Sequence, residues 1–170
     1  QGKPSRDSLL GYYLLPLPTI DPFIVVRSAA ALDVYGPEFT YSHFAGLKTL
    51  TYTLGGVAAV VSLGVAAKIP PARSFLKSRV KQGTGPSVQK RERSWFTVDF
   101  IGEQGGQILH TRVSGGDPGY TETSKMLAES AMCLALDDNP PVAGSVTTAE
   151  AMAVNLQARL EQAGLKLALI

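Results

Sequence analysis

Cysteine is nearly absent from this chain of 170 residues. The single Cys133 excludes an internal disulfide and fits a reducing compartment, so a cytoplasmic location is expected. Histidine is almost as scarce. His43 and His110 lie far apart from each other and from Cys133, so no zinc-type spacing exists and no metal is expected. No Gly-Lys-Ser/Thr occurs, which removes a P-loop, and no G-x-S-x-G occurs, which removes a hydrolase elbow. Gly83-Thr84-Gly85 continues as Pro86-Ser87-Val88, without a third glycine and without a preceding strand, so a dinucleotide fingerprint is rejected. A net charge of +2 gives no argument for nucleic acid as a partner. An initiator Met is also lacking and the opening QGKPSRDS is polar, as expected for a piece of a longer protein.

What is present is a folding composition, 45% hydrophobic, with strand and helix patterns interleaved. Residues 1–18 read as an irregular lead-in, and residues 19–170 as one domain. Asp21-Pro22 opens a helix, with Asp21 as cap, whose face is Val25, Ala29, Leu32 and Tyr35 and which Gly36-Pro37 ends. Phe39 to Phe44 alternates as a strand with Phe39, Tyr41 and His43 on one side. Residues 72–80 form a short helix and 82–88 a loop. Trp95–Ile101 and Gln107–Val113 are two strands of a hairpin around GEQGG (102–106). A helix spans Thr121 to Leu136 and places Cys133 among apolar residues as an inert thiol. A last helix, capped by Thr147 or Thr148, carries Met152, Leu156, Leu160 and Ala163 inward. Leu165–Ile170 is a final strand. The fold class is therefore α+β, with a mixed, largely antiparallel sheet covered by helices.

Two features carry chemistry. No charge occurs between Lys48 and Lys68, long enough for a membrane span although Ala, Gly, Thr and Ser dilute it. Directly after it, residues 68–93 hold eight Lys or Arg and one acid, a net +7 that leaves −5 for the rest. Arg73, Lys77, Arg79 and Lys81 are the candidates within it for contact with phosphate or with an anionic membrane surface; a plain solvated face stays open. The second feature is the turn Gly115-Gly116-Asp117-Pro118-Gly119-Tyr120-Thr121 between a strand and a helix. It reads either as a tight corner with Thr121 as cap or as a pocket wall with the helix N-terminus behind it. Asp117 brings a negative charge that opposes a bare phosphate there.

These stretches carry a resemblance. PTIDPFIVVRSAAALDVYGPEFTYSHF (18–44), GPSVQKRERSWFTVDFIGE (85–103), SGGDPGYTETSKMLAESAMCLALDD (114–138) and VTTAEAM (146–152) resemble the saccharopine dehydrogenase-like oxidoreductases. Within that family they are most similar to the subgroup that includes trans-acting enoyl reductases of complex-lipid polyketide synthesis. The resemblance implies a C-terminal substrate-binding and dimerisation domain whose Rossmann partner is absent from this chain. NADP or NAD would be bound by that absent half, with no cofactor-binding residue here. A homodimer and a lipid-type acyl substrate or its carrier are the implied partners; peripheral membrane contact rests instead on residues 49–67 and the +7 segment, which leave open a non-catalytic membrane-surface or oligomerisation module. Tyr41, His43, Gly115, Gly116, Asp117, Tyr120 and Thr121 would line the substrate cleft. No catalytic residue carries over.

Overall fold

The computed structural model describes residues 2–79, 83 and 85–170. The class is α+β: two three-stranded sheets, each wholly antiparallel, with six α-helices among the described residues. The chain packs as two compact units, 1–84 and 85–170.

In the first unit, strand β1 (Ser5–Arg6) pairs with β2 (Tyr13–Pro16), and β2 pairs with β3 (Phe44–Leu47). The lead-in expected to be irregular thus supplies two strands. β1 pairs only with the nearby β2, and β2 finds its other partner, β3, about thirty residues away, a signal that no local pattern carries. Strand β3 starts only at Phe44, the last residue of the alternating segment, so Tyr41 and His43 stand on the approach to the sheet. Helix α1 (Asp21–Ala31) begins as expected, with Pro22 in its first turn, but Ile20 occupies the cap position and Asp21 lies inside. The helix ends at Ala31, before Gly36-Pro37, because Leu32 turns extended and a 3-10 turn (Asp33–Tyr35) follows. Val25, Ala29 and Leu32 are at least half-shielded as the period predicts; Tyr35 is exposed.

The uncharged stretch is helix α2 (Leu50–Lys68), and none of its residues is buried. Thr49 caps it, its Oγ1 accepting from Tyr52 N at 3.3 Å. Pro70 does not merely close this segment. It opens helix α3 (Pro70–Arg79), because proline is tolerated at the first helical position, where its missing N–H costs nothing.

The second unit is built on a hairpin. Strands β4 (Phe96–Gln104) and β5 (Gln107–Gly115) join through Gly105 (φ 59) and Gly106 (φ 80), the two positive φ values that a two-residue type I′ turn requires. Strand β6 (Lys166–Leu169) adds to β5, opposing Leu167 to Val113 and Leu169 to Thr111. Register places Asp99 opposite Arg112, and the Asp99 carboxylate also takes His110. The distances are 2.8 Å to Arg112 Nε and 2.7 Å to His110 Nε2. Burial raises the Asp99 carboxyl, but these two donors and their charge outweigh it and leave it below its ordinary value. His110 is therefore a sheet residue with a structural partner.

Helix α4 (Val88–Glu92), capped by Ser87, begins at the last residue of the segment expected to be loop and continues beyond it, a short helix that the sequence reading did not include. Helices α5 (Thr121–Leu136) and α6 (Thr148–Gln162) pack on each other. Arg159 forks onto Asp137, Nε to Oδ2 at 2.6 Å and Nη2 to Oδ1 at 2.7 Å, and its Nη1 reaches Glu129 at 3.4 Å. Asn139 closes the end of α5, donating to the Cys133 carbonyl at 2.6 Å. The apolar residues fully withdrawn from solvent among those described are Cys133, Met152 and Leu165, all in this unit. Helix α6 is capped by Thr147, whose Oγ1 accepts from Glu150 N, and is broken at Ala153 (φ 46, ψ −131). A Cβ-bearing residue there stores about 1–3 kcal/mol of strain. Ala153→Gly is expected to stabilise the chain by about 1 kcal/mol in urea unfolding, against the usual loss of about 1 kcal/mol for that change inside a helix. The usual loss would show that the break is not present in solution.

Candidate functional site

The turn after β5 is closed by its own side chains. Asp117 is buried, and its Oδ2 accepts from Tyr120 N at 2.9 Å and Thr121 N at 3.0 Å. Its carbonyl accepts from Glu122 N at 2.9 Å. Glu122, also buried, reaches back: Oε1 accepts from Gly116 N at 3.3 Å, and Oε2 lies 2.8 Å from Lys125 Nζ. Tyr120 occupies the cap position of α5 and Thr121 lies inside the helix, so the capping carboxylate comes from Asp117, three residues before the cap position. A carboxylate at a helix start satisfies the orphan amides and meets the positive end of the dipole.

Gly115, Gly116 and Gly119 are absent from the positive-φ positions, so conformational freedom is not their role. Close approach is the role of the first two; at Gly119 a Cβ would meet only Asp117 Oδ1 at 3.7 Å, an ordinary contact. A Cβ at Gly115 would stand 2.8 Å from the Phe96 ring, and one at Gly116 3.1 Å from Glu122 Oε1.

Beside this corner lies an open groove of about 740 Å³. Gly85, Lys90, Arg93 and Trp95 form one wall, and Asp117, Gly119 and Tyr120 the other. Trp95 is 71% exposed and Tyr120 48% exposed, so both rings are available to a ligand. Gly85 lets Tyr120 lie close, since a Cβ there would sit 3.0 Å from the phenol ring. A smaller hollow of about 410 Å³ shares Lys90, Arg93 and Ser94. Two cations, two aromatic faces and an exposed floor suit a ligand with an anionic group and an apolar or planar body.

The Asp117 carboxyl is held below the usual carboxylate range, first by the Thr121 amide and then by those of Tyr120 and Gly119, with Arg91 adding charge, against an opposing desolvation. A depressed folded value gives stability that is present above the unfolded value of about 4 and fades as pH falls through the folded one. Asp117→Ala is expected to lower Tm by roughly 4–8 °C at neutral pH, and the gap to wild type should narrow below about pH 4. An unchanged Tm would remove Asp117 as the cap.

Of the residues expected to line a cleft, Gly115, Gly116, Asp117, Tyr120 and Thr121 come together here, and Asp117 and Tyr120 face the groove. Tyr41 and His43 belong to the first unit and form their own pair, Tyr41 Oη to His43 Nδ1 at 3.1 Å. The Tyr41 phenol is raised by burial and then by the charge of Asp21, a neighbour that the strand pattern did not reveal. Arg73, Lys77 and Arg79 are exposed on α3, with the Arg79 guanidinium 4.9 Å above the Phe75 ring. Lys81 lies outside the described residues. Lys90, Arg93 and Trp95 were missed as groove residues. The +7 segment that holds Lys90 and Arg93 was visible, but not that twenty-odd residues later the chain returns beside it and Trp95. No group of three or more metal-type side chains occurs among the described residues.

The groups that would hold a nicotinamide dinucleotide do not fit here. The amides of Gly116, Tyr120 and Thr121 already bond to Glu122 and Asp117, and both acceptors carry negative charge.

Comparison with known proteins finds relatives for most of the chain. The chain is similar to a Mycobacterium tuberculosis protein provisionally named a trans-acting enoyl reductase, 35% identical over 159 residues. That alignment takes in 85% of this chain and 38% of the relative. It is also similar to the trans-acting enoyl reductase of Mycobacterium ulcerans, 34% identical over 83% of the chain and 37% of the relative. The trans-acting enoyl reductase of Mycobacterium bovis is 32% identical over 82% of the chain and 37% of the relative. The chain thus has homologues of the trans-acting enoyl reductase type and spans less than two-fifths of their length. No family model matches, and no solved structure matches.

Proposed function

We propose that this chain is the C-terminal substrate-binding and dimerisation part of an NAD(P)-dependent enoyl reductase that acts on a lipid or polyketide-type acyl intermediate. The observation that carries the reading is similarity over 85% of the chain to a protein of that provisional name. The resemblance of residues 18–44, 85–103, 114–138 and 146–152 to saccharopine dehydrogenase-like oxidoreductases agrees with it. The cofactor then belongs to a Rossmann domain outside this chain, since the turn's Gly116, Tyr120 and Thr121 amides are already bonded to its own acids.

In this reading the residues of the present chain bind and orient. Lys90 and Arg93 take the anionic group of an acyl carrier or acyl thioester, as charges at a groove rim steer and hold phosphate. Trp95 and Tyr120 cover the acyl portion next to it. Asp117 shapes this wall by fixing the Tyr120 and Thr121 amides, and contacts no reacting atom.

The test uses the longer natural protein beside the present chain. The longer protein should bind NADPH or NADH and oxidise it with a 2-enoyl thioester, and the 170-residue chain should do neither. Lys90→Glu with Arg93→Glu in the longer protein should raise KM for a carrier-linked enoyl substrate about tenfold with little change in kcat. A longer protein that neither binds nor oxidises the nucleotide removes the enzyme reading. An unchanged KM removes the groove from it.

A further inference from the structure

We propose that helix α2 is held in the hydrocarbon of an anionic lipid bilayer, with the basic helix α3 at the bilayer surface. The inference goes beyond the enoyl reductase reading and does not rest on it.

The first observation is the distribution of apolar surface. Leu54, Val60, Val61, Leu63 and Val65 are between 55% and 72% exposed. Successive residues on a helix stand about 100° apart, so Leu54, Val61 and Val65 share one side while Val60 and Leu63 face others. A helix that docks in a protein groove needs one apolar stripe and a polar back. This one has no polar back, and lipid is the medium that surrounds a helix on all sides. Its 19 residues make a rod about 28 Å long, matched to a hydrocarbon layer about 30 Å thick. The backbone N–H and C=O groups are bonded within the helix. At its start Thr49 caps Tyr52 N, and the Thr53 hydroxyl donates to the Thr49 carbonyl at 3.0 Å.

The second observation is charge. Between Lys48 and Arg79 every charged side chain is a cation: Lys48, Lys68, Arg73, Lys77 and Arg79. Lys48 and Lys68 bracket the helix, where long stems let ammonium groups reach the headgroups. At Ile69 the backbone turns extended (φ −92, ψ 116), and α3 leaves in a new segment. Arg73 and Lys77 are exposed one turn apart on α3, and Arg79 caps the exposed ring of Phe75. Cations beside an exposed aromatic, directly after an apolar rod, complement an anionic headgroup layer. A second copy of the chain laid in parallel on α2 would set Lys68 and the α3 cations against their like.

The experiment places a reporter in the helix. Trp95 is the sole tryptophan, so Val60→Trp in a Trp95→Phe background gives one emitter. The full chain is mixed with phosphatidylglycerol–phosphatidylcholine vesicles and floated on a gradient. The chain should float, stay bound through a high-salt wash, shift its emission to the blue, and lose fluorescence when the lipid chains are brominated. Val60→Asp, at an exposed position that folding does not need, should abolish salt-resistant flotation. Lys77→Glu with Arg79→Glu should reduce binding to the anionic vesicles several-fold and leave the little that binds to pure phosphatidylcholine unchanged. Flotation that salt reverses, with emission untouched by bromine, would mean surface charge alone and overturn the proposal. So would absence from the vesicle fraction, with light scattering showing either a self-associated chain or a clean monomer.

Discussion

A single buried carboxylate holds the corner on which the second unit turns. Asp117 draws in the two amides that start α5, and Glu122, five residues on, draws in the amide of Gly116 just before the corner. The exchange is reciprocal, in the manner of a capping box with its spacing stretched. It fixes where the hairpin ends and in which direction the long helix leaves. It also fixes Tyr120, and with it one wall of the groove. The same bonds answer what such a glycine turn is for. A phosphate-binding turn keeps its amides free, whereas this one spends them on its own acids. Gly115 and Gly116 are small because Phe96 and Glu122 crowd them, not because the backbone is left-handed.

The two units solve the burial problem differently. The second has a compact centre around Cys133, Met152 and Leu165, fastened by the Arg159 fork onto Asp137 and Glu129. The first buries no apolar side chain completely among the described residues, and Ser28 is its most shielded side chain. Its largest apolar element, α2, faces outward. Each Leu or Val left in water forgoes roughly 1.5–3 kcal/mol of burial, a large sum beside the 5–15 kcal/mol by which domains are stable. The first unit therefore has most of its hydrophobic driving force still unused.

What the sequence disclosed was whatever is local. The β4–β5 hairpin follows from alternation around two glycines, and α5 and β6 fall where period and flanking signals put them. Cys133 is inert and buried, as its apolar neighbours imply. What escaped depended on distant partners or on a choice between near-equal neighbours. Strand β2 is recognised only by its ladder to β3, and β1 only by its ladder to β2. Asp117 and Thr121 are both good caps, and only the placed backbone shows that the acid takes the role. Within the groove, Tyr120 and Asp117 were legible from the turn, while Lys90, Arg93 and Trp95 are joined to them by tertiary structure alone.

The lone thiol has a use beyond packing. Burial, with the nearby Asp137 charge, pushes the Cys133 thiol above its ordinary value, and no part of the side chain reaches solvent. Thiolate is the form that alkylating reagents attack, so the closed unit presents almost no target. Reaction then waits for α5 and α6 to part, and its rate becomes a clock for that opening. The chain carries one such clock, in one place, and needs no added label to run it.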